Sequence, residues 1–320
     1  MRALRIVAPG QAQLLEVSDP RPAPGEVLVS VAYAAVCSTD RRLVRDGVTG
    51  PIPGHEVSGW LEDGTLVGIH PDTGCGRCDQ CLAGRSQRCA QRRAVGIDVD
   101  GGFAERLVLP AAHAVPAGGI AADLIPLLEP LACTLHAARR LCVEPGETAV
   151  VVGSGAMGVL AMWALQALGL RVEVSQRSEL RRRQAGDLGA DGVLAPDDDP
   201  TTPFGRGPDV VVVTAPGPEP LTWALERVAE GGRVHAFAGS PGGAAVDANL
   251  VHYRHLDLVG STGSGLADYG RAVELVRDGT VDLSRLPRAE IELDALPAEL
   301  ARPSSGRALR TIVRITDGVR

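Results

Sequence analysis

The chain contains no lysine: all 32 of its basic residues are arginine. That absence excludes chemistry built on a side-chain amine, including Schiff-base catalysis, the Tyr-x-x-x-Lys dehydrogenases and the P-loop NTPases. No apolar run is long enough to span a bilayer, and Met1-Arg2-Ala3-Leu4 enters strand-like sequence without the apolar core of a secretion signal. No basic patch is obvious, and the formal net charge is -7. Nucleic acid and anionic membrane are therefore not expected partners, and the expected location is the cytoplasm. With 320 residues, 45% hydrophobic and 22% charged, the chain is long enough for two domains with separate cores.

Seven cysteines, an odd number with no export signal, point to metal rather than disulfides. Four of them, Cys75, Cys78, Cys81 and Cys89, crowd into a lobe at about 74–90. Two-residue gaps let neighbouring thiolates wrap one tetrahedral ion, and the longer gap folds back to supply the fourth sulfur. Such a closed site is structural zinc. Cys37 in Cys37-Ser38-Thr39-Asp40 and His55 in Gly54-His55-Glu56 are different. A thiolate and an imidazole from separate loops, beside an acidic residue, suit a second, open zinc site. Cys142 is expected in the core and Cys133 in the core or near the cofactor. His70, His113, His235, His252 and His255 have no spacing that implicates them, and His136 is expected to be structural.

Val27–Ala32 is apolar and β-branched, a strand that delivers Cys37 at its end, and Pro51, Pro53 and Gly54 then form a tight loop presenting His55 and Glu56. Farther on, the strand Thr148–Val152 runs into Gly153-Ser154-Gly155-Ala156-Met157-Gly158 and an apolar helix stopped by Gly169. Strand, Gly-x-Gly-x-x-Gly and helix in that order form a dinucleotide fingerprint. Alternation continues with strands at 170–175, 209–215, 233–238 and 256–260 and helices at about 179–188 and 219–229, as in a doubly wound parallel sheet.

These motifs together resemble the zinc-dependent medium-chain dehydrogenases of the alcohol dehydrogenase superfamily over nearly the whole chain. Glu129-Pro130-Leu131, His136 to Arg140 and His252-Tyr253-Arg254 ahead of Gly260-Ser261 are most similar to the polyol branch of sorbitol, threonine and aminocyclitol dehydrogenases. The resemblance implies an α/β chain: a GroES-like β-rich catalytic domain, 1–128 with 263–320, and a Rossmann cofactor domain, 129–262. It implies two zinc ions per subunit and hydride transfer between NAD(P)(H) and a secondary alcohol or ketone of the polyol, cyclitol or amino alcohol class. Cys37 and His55 would bind the catalytic zinc, with Glu56 or a water completing its shell. Asp40 would orient the histidine, and Thr39 would bond the substrate hydroxyl. Glu129 is either a ligand or an acidic cap on a helix whose first residue is Pro130.

NAD enzymes of this fold place an acidic residue about 20 residues past the glycine motif to bond the ribose hydroxyls. Gln176 stands there instead, followed by Arg177, with Arg181 and Arg182 one turn into the next helix. Guanidinium groups there favour a 2'-phosphate, hence NADP(H); a solvated arginine face is the other reading. The apolar strand at 256–260 near the sheet edge suggests a homodimer or homotetramer. Other classes remain open: an NADPH-dependent reductase of a carbonyl or conjugated double bond, a non-catalytic nucleotide-binding module, or a redox-sensing zinc switch.

Overall fold

The computed structural model describes residues 1–201, 205–302 and 307–316. The chain divides into two compact units, one comprising Met1–Ala132 with the described residues from Ser264 onward, the other Cys133–Gly263.

The first unit is built on a seven-stranded sheet. Its central strand, Glu26–Val36, pairs antiparallel with Arg106–Pro110 over its first half. Over its second half it pairs with Glu56–Trp60 on one side and Arg310–Arg314 on the other. That second half carries Val31, Ala34 and Ala35 at 0% exposure; small residues let two neighbouring strands and their covering layers close over it. Register then decides the site, because Ala35 lies opposite Glu56 and Val36 opposite Thr311. Val36 ends the strand and Cys37 caps the helix Ser38–Asp46, whose Asp40 carboxylate accepts a 2.8 Å hydrogen bond from the Cys37 amide. An acid in the first turn satisfies an amide that the helix itself leaves without an acceptor. Gly47, at φ 68°, closes the helix.

The second unit is a six-stranded parallel sheet in the spatial order Gly192–Leu194, Arg171–Ser175, Thr148–Val152, Val210–Val213, Arg233–Ala236, Asp257–Gly260. In sequence terms this order is 3-2-1-4-5-6, the doubly wound dinucleotide-binding arrangement, with its switch point beside Thr148–Val152. Val210 to Val213 are all at most 3% exposed, as strands covered on both faces require. Gly192–Leu194 is a strand that the sequence pattern does not show: three residues are too few for any periodicity to register.

Two expectations about helix ends need correction. The helix expected to begin at Pro130 begins at Leu128, continuing the turn Ile125–Leu127. Pro130 is therefore its third residue, still inside the first turn where a missing N–H costs little. Cys142 is exposed rather than in the core. It follows the last residue of that helix with φ 50°, and its carbonyl, like that of Leu141, accepts a bond from Arg233 Nη1. The chain must reverse there, a position that glycine more often takes.

Candidate metal centres and cofactor loop

In the lobe, Cys75, Cys78, Cys81 and Cys89 bring their sulfurs within 4.8 Å of one another. The amides of Cys75 and Gln91 donate to the Cys89 sulfur at 3.4 and 3.3 Å. Bonds from two amides to the Cys75 sulfur lower that thiol to about 6, whereas burial raises the Cys81 thiol to about 11. Four sulfurs so close, with amides already turned toward them, form a donor set suited to a tetrahedral zinc ion.

The second group consists of Cys37, His55 and Glu56, whose donor atoms also lie within 4.8 Å of one another. The ends of adjacent strands deliver them, Cys37 just beyond Val36 and Glu56 opposite Ala35. Asp40, fully buried, has one oxygen on the Cys37 amide and the other 3.3 Å from the Gly54 amide and 3.5 Å from His55 Nδ1. The histidine distance is long and poorly aligned for a hydrogen bond, so His55 Nδ1 faces the carboxylate as a charge contact. Burial opposes ionisation of Cys37, but Arg310 and His55 outweigh it and hold the thiol down at about 5. His55 is raised well above its ordinary value, with Asp40 and Cys37 overcoming the cost of burial. Burial lifts Glu56 well above the usual carboxylate range, against the pull of Arg310, and Cys37 and Glu129 lift it further. The pocket thus gathers more negative groups than cations, a surplus that a divalent ion would offset. Glu56 Oε2 is buried without a hydrogen-bond partner among the described residues, and an orphaned carboxylate oxygen is what a metal position calls for. Glu129 is outside this three-residue group, although it is buried and close enough for its charge to bear on Glu56.

Sequence reasoning missed Arg310. Its Nη2 donates to Glu56 Oε1 at 2.6 Å with both side chains buried. An arginine near the end of an arginine-rich chain carries no signal, and only the pairing of Arg310–Arg314 with Glu26–Val36 places it here. Two histidines set aside by spacing also meet. His70 and His113 lie ring on ring at 5.3 Å with Nδ1 atoms 3.1 Å apart, and His70 Nε2 is 2.9 Å from the Ser264 carbonyl.

In the other unit two glycines of the motif have no room for a side chain. Gly153 has φ 104°, and a Cβ there would lie 2.9 Å from Thr214 Oγ1; a Cβ on Gly158 would lie 1.9 Å from the Gly153 carbonyl oxygen. A Cβ on Gly155 would meet nothing within 4 Å. Gly155 caps the helix Ala156–Ala167, whose free amides favour an anion. Gln176 donates from Nε2 to Ser154 Oγ at 3.2 Å. The side chain of Arg177 is exposed and that of Arg181 half-buried, with its Nη1 on Gln184 Oε1 at 3.3 Å. Arg182 does not join them, because its Nη1 is bonded to the carbonyls of Gln176 and Arg177 at 2.7 and 2.8 Å.

The profile of the alcohol dehydrogenase GroES-like domain matches residues 23–119, and that of the zinc-binding dehydrogenases matches residues 156–278. An L-threonine 3-dehydrogenase of Pyrococcus horikoshii is 31% identical over 313 residues, covering 88% of this chain and 89% of its own. The chain belongs to the zinc-binding alcohol dehydrogenase family. It is a zinc-dependent, NAD(P)-dependent oxidoreductase acting on CH–OH groups, of the medium-chain polyol branch. Two solved dehydrogenases superpose closely. A zinc-binding dehydrogenase from Sinorhizobium meliloti bound to NADP has TM-score 0.90, 29% identity and coverage of 98% of this chain and 99% of its own. A thermostable alcohol dehydrogenase from Pyrobaculum aerophilum with cobalt and zinc has TM-score 0.86, 29% identity and the same coverage. No helix among the described residues of this dehydrogenase is long and apolar enough to cross a membrane.

Proposed function

We propose that this dehydrogenase interconverts a secondary alcohol and a ketone on a polyol, cyclitol, amino alcohol or related metabolite, with NADP(H) preferred over NAD(H). The observation that carries the reading is the group of thiol, imidazole and carboxyl donors with one buried carboxylate oxygen unpartnered among the described residues. Zinc held there would supply a Lewis acid that lowers the pKa of an alcohol, and a nicotinamide cofactor would supply the hydride acceptor; alcohol dehydrogenases are a known case of such an open site.

Cys37 and His55 would hold the ion, with Glu56 or a water as a further ligand. Asp40 orients His55 and fixes the Cys37 amide, so one residue sets both ligands. Thr39, half-buried in the first turn of the same helix, bonds the substrate hydroxyl and passes its proton outward. Glu129 balances charge beside Glu56 or takes a place on the ion. The amides at Gly155 and the helix behind it receive the pyrophosphate, and Arg177 and Arg181 receive the 2'-phosphate that an acidic residue at Gln176 would repel. The protein works in the cytoplasm as a homodimer or homotetramer with a small-molecule substrate. The threonine dehydrogenase likeness supports the amino alcohol class, and the NADP in the Sinorhizobium protein supports the cofactor preference.

The test is a panel of polyols, cyclitols, amino alcohols and simple secondary alcohols with both cofactors, read by nicotinamide absorbance alongside metal content. Two zinc equivalents and turnover on a hydroxylated member with NADP are expected. One equivalent or none after metal-replete expression, or turnover only on conjugated double bonds, would overturn the reading.

A further inference from the structure

Arg310 is a buried arginine whose charge faces Glu56, Cys37, Glu129 and Asp40. Its Nη2 bonds Glu56 Oε1 at 2.6 Å, its Nη1 lies 3.5 Å from the Val36 carbonyl, and both side chains of the ion pair are at most 7% exposed. The strand register makes this contact compulsory, since Thr311 pairs with Val36 and Ala35 with Glu56. The guanidinium therefore stands across one oxygen of Glu56, whose other oxygen has no hydrogen-bond partner among the described residues. Its charge also acts on Cys37. A fixed cation at that distance competes with any divalent ion for Glu56 and repels it.

We propose that Arg310 is a positioning residue that keeps the zinc centre open, tethering Glu56 by one oxygen so that the carboxylate cannot settle permanently on the ion. This rests on the assignment of Cys37, His55 and Glu56 to the catalytic metal. Without the tether, the carboxylate is freed for full coordination, so the ion is held more tightly and the position that substrate needs is occupied. A merely structural arginine would do the opposite, because its loss would loosen the ligands.

The experiment measures zinc release to a chromogenic chelator from purified wild type, Arg310→Met and Arg310→Lys, with Cys37→Ser identifying the phase that belongs to the open site. The Cys75 to Cys89 site in the same molecule is the internal control. Arg310→Met is expected to slow release from the open site by about tenfold or more, opposite in sign to the loss of affinity that removing a ligand-orienting residue usually brings. Its cobalt form should show an altered ligand-field spectrum, and kcat should fall with it. Arg310→Lys, which keeps the charge, should return release to within about threefold of wild type. Unchanged or faster release in Arg310→Met overturns the proposal. Should that variant fail to fold, Glu56→Gln is compared with the uncharged pair Glu56→Gln/Arg310→Met. Equal release rates support action through Glu56, and unequal rates overturn it. If Cys37→Ser leaves wild-type metal content unchanged, the metal assignment itself has failed, a result separate from any behaviour of Arg310.

Discussion

Cys37 is a thiolate near neutral pH although burial opposes its ionisation, because Arg310 and His55 face it. Cys37→Ser removes the soft donor and should leave one zinc equivalent, in the lobe, with turnover lost and the fold retained; metal analysis with circular dichroism checks it. His70 makes a separate prediction. Burial lowers it to about 4, with His113 pushing the same way while the Ser264 carbonyl, Asp72 and Asp268 oppose, and Tyr269 packs edge-on at 6.0 Å. The folded state therefore binds fewer protons than the unfolded chain between about pH 6.5 and 4. The stability contribution of a neutral His70 is complete above 6.5 and shrinks as pH falls, by on the order of 3 kcal/mol once both states are protonated. Urea midpoints at pH 7.5 and 5 should differ in the wild type and differ less in His70→Gln. At the cofactor, Arg177→Ala should lower the ratio of kcat/KM for NADP over NAD by about tenfold, as loss of a charged phosphate contact does. A wild-type ratio below one, or a ratio unmoved by the change, would count against Arg177.

Among the elements, the strand–loop–helix at 148–167 tolerates least. A methyl on Gly158 would lie 1.9 Å from the Gly153 carbonyl oxygen, which is backbone and cannot swing aside. Gly158→Ala should therefore push the helix away from the turn and weaken NADP binding by at least about tenfold, measured by nicotinamide fluorescence. Gly155→Ala meets open space, so its effect should appear in cofactor affinity and not in thermal stability. In the lobe, Cys81→Ser breaks a closed set, and its loss should register chiefly as a lower Tm, because structural zinc binding is folding free energy. This element was readable in the sequence because all four ligands fall within one short segment. The open centre was readable only in part, since Arg310 reaches Glu56 through strands that are neighbours in space and distant in sequence.

At the scale of the molecule, the strand Asp257–Gly260 is the outermost of its sheet, and Leu258 on it is 40% exposed. An apolar edge left bare invites pairing, which supports a homo-oligomer joined there. Light scattering at micromolar concentration should give at least twice the 33.3 kDa of one chain, and Leu258→Pro, which removes a ladder donor, should shift the mass toward the monomer. A wild-type mass of one chain would refute the edge as an interface.

By itself the sequence determined the family, the four-sulfur lobe and the dinucleotide turn, since each is a local pattern whose spacing is its geometry. It also excluded every mechanism that needs lysine. Only the tertiary structure decided that Arg310 stands against Glu56, that His70 meets His113, and that Arg182 is bonded to the carbonyls of Gln176 and Arg177 rather than left for a phosphate. It decided too that Cys142 lies at the surface and that a three-residue strand at Gly192–Leu194 completes the parallel sheet. For Arg310 and for the His70–His113 pair the physical reason is shared. A contact between distant strands depends on register, and one step of slip along a strand turns every side chain to the other face.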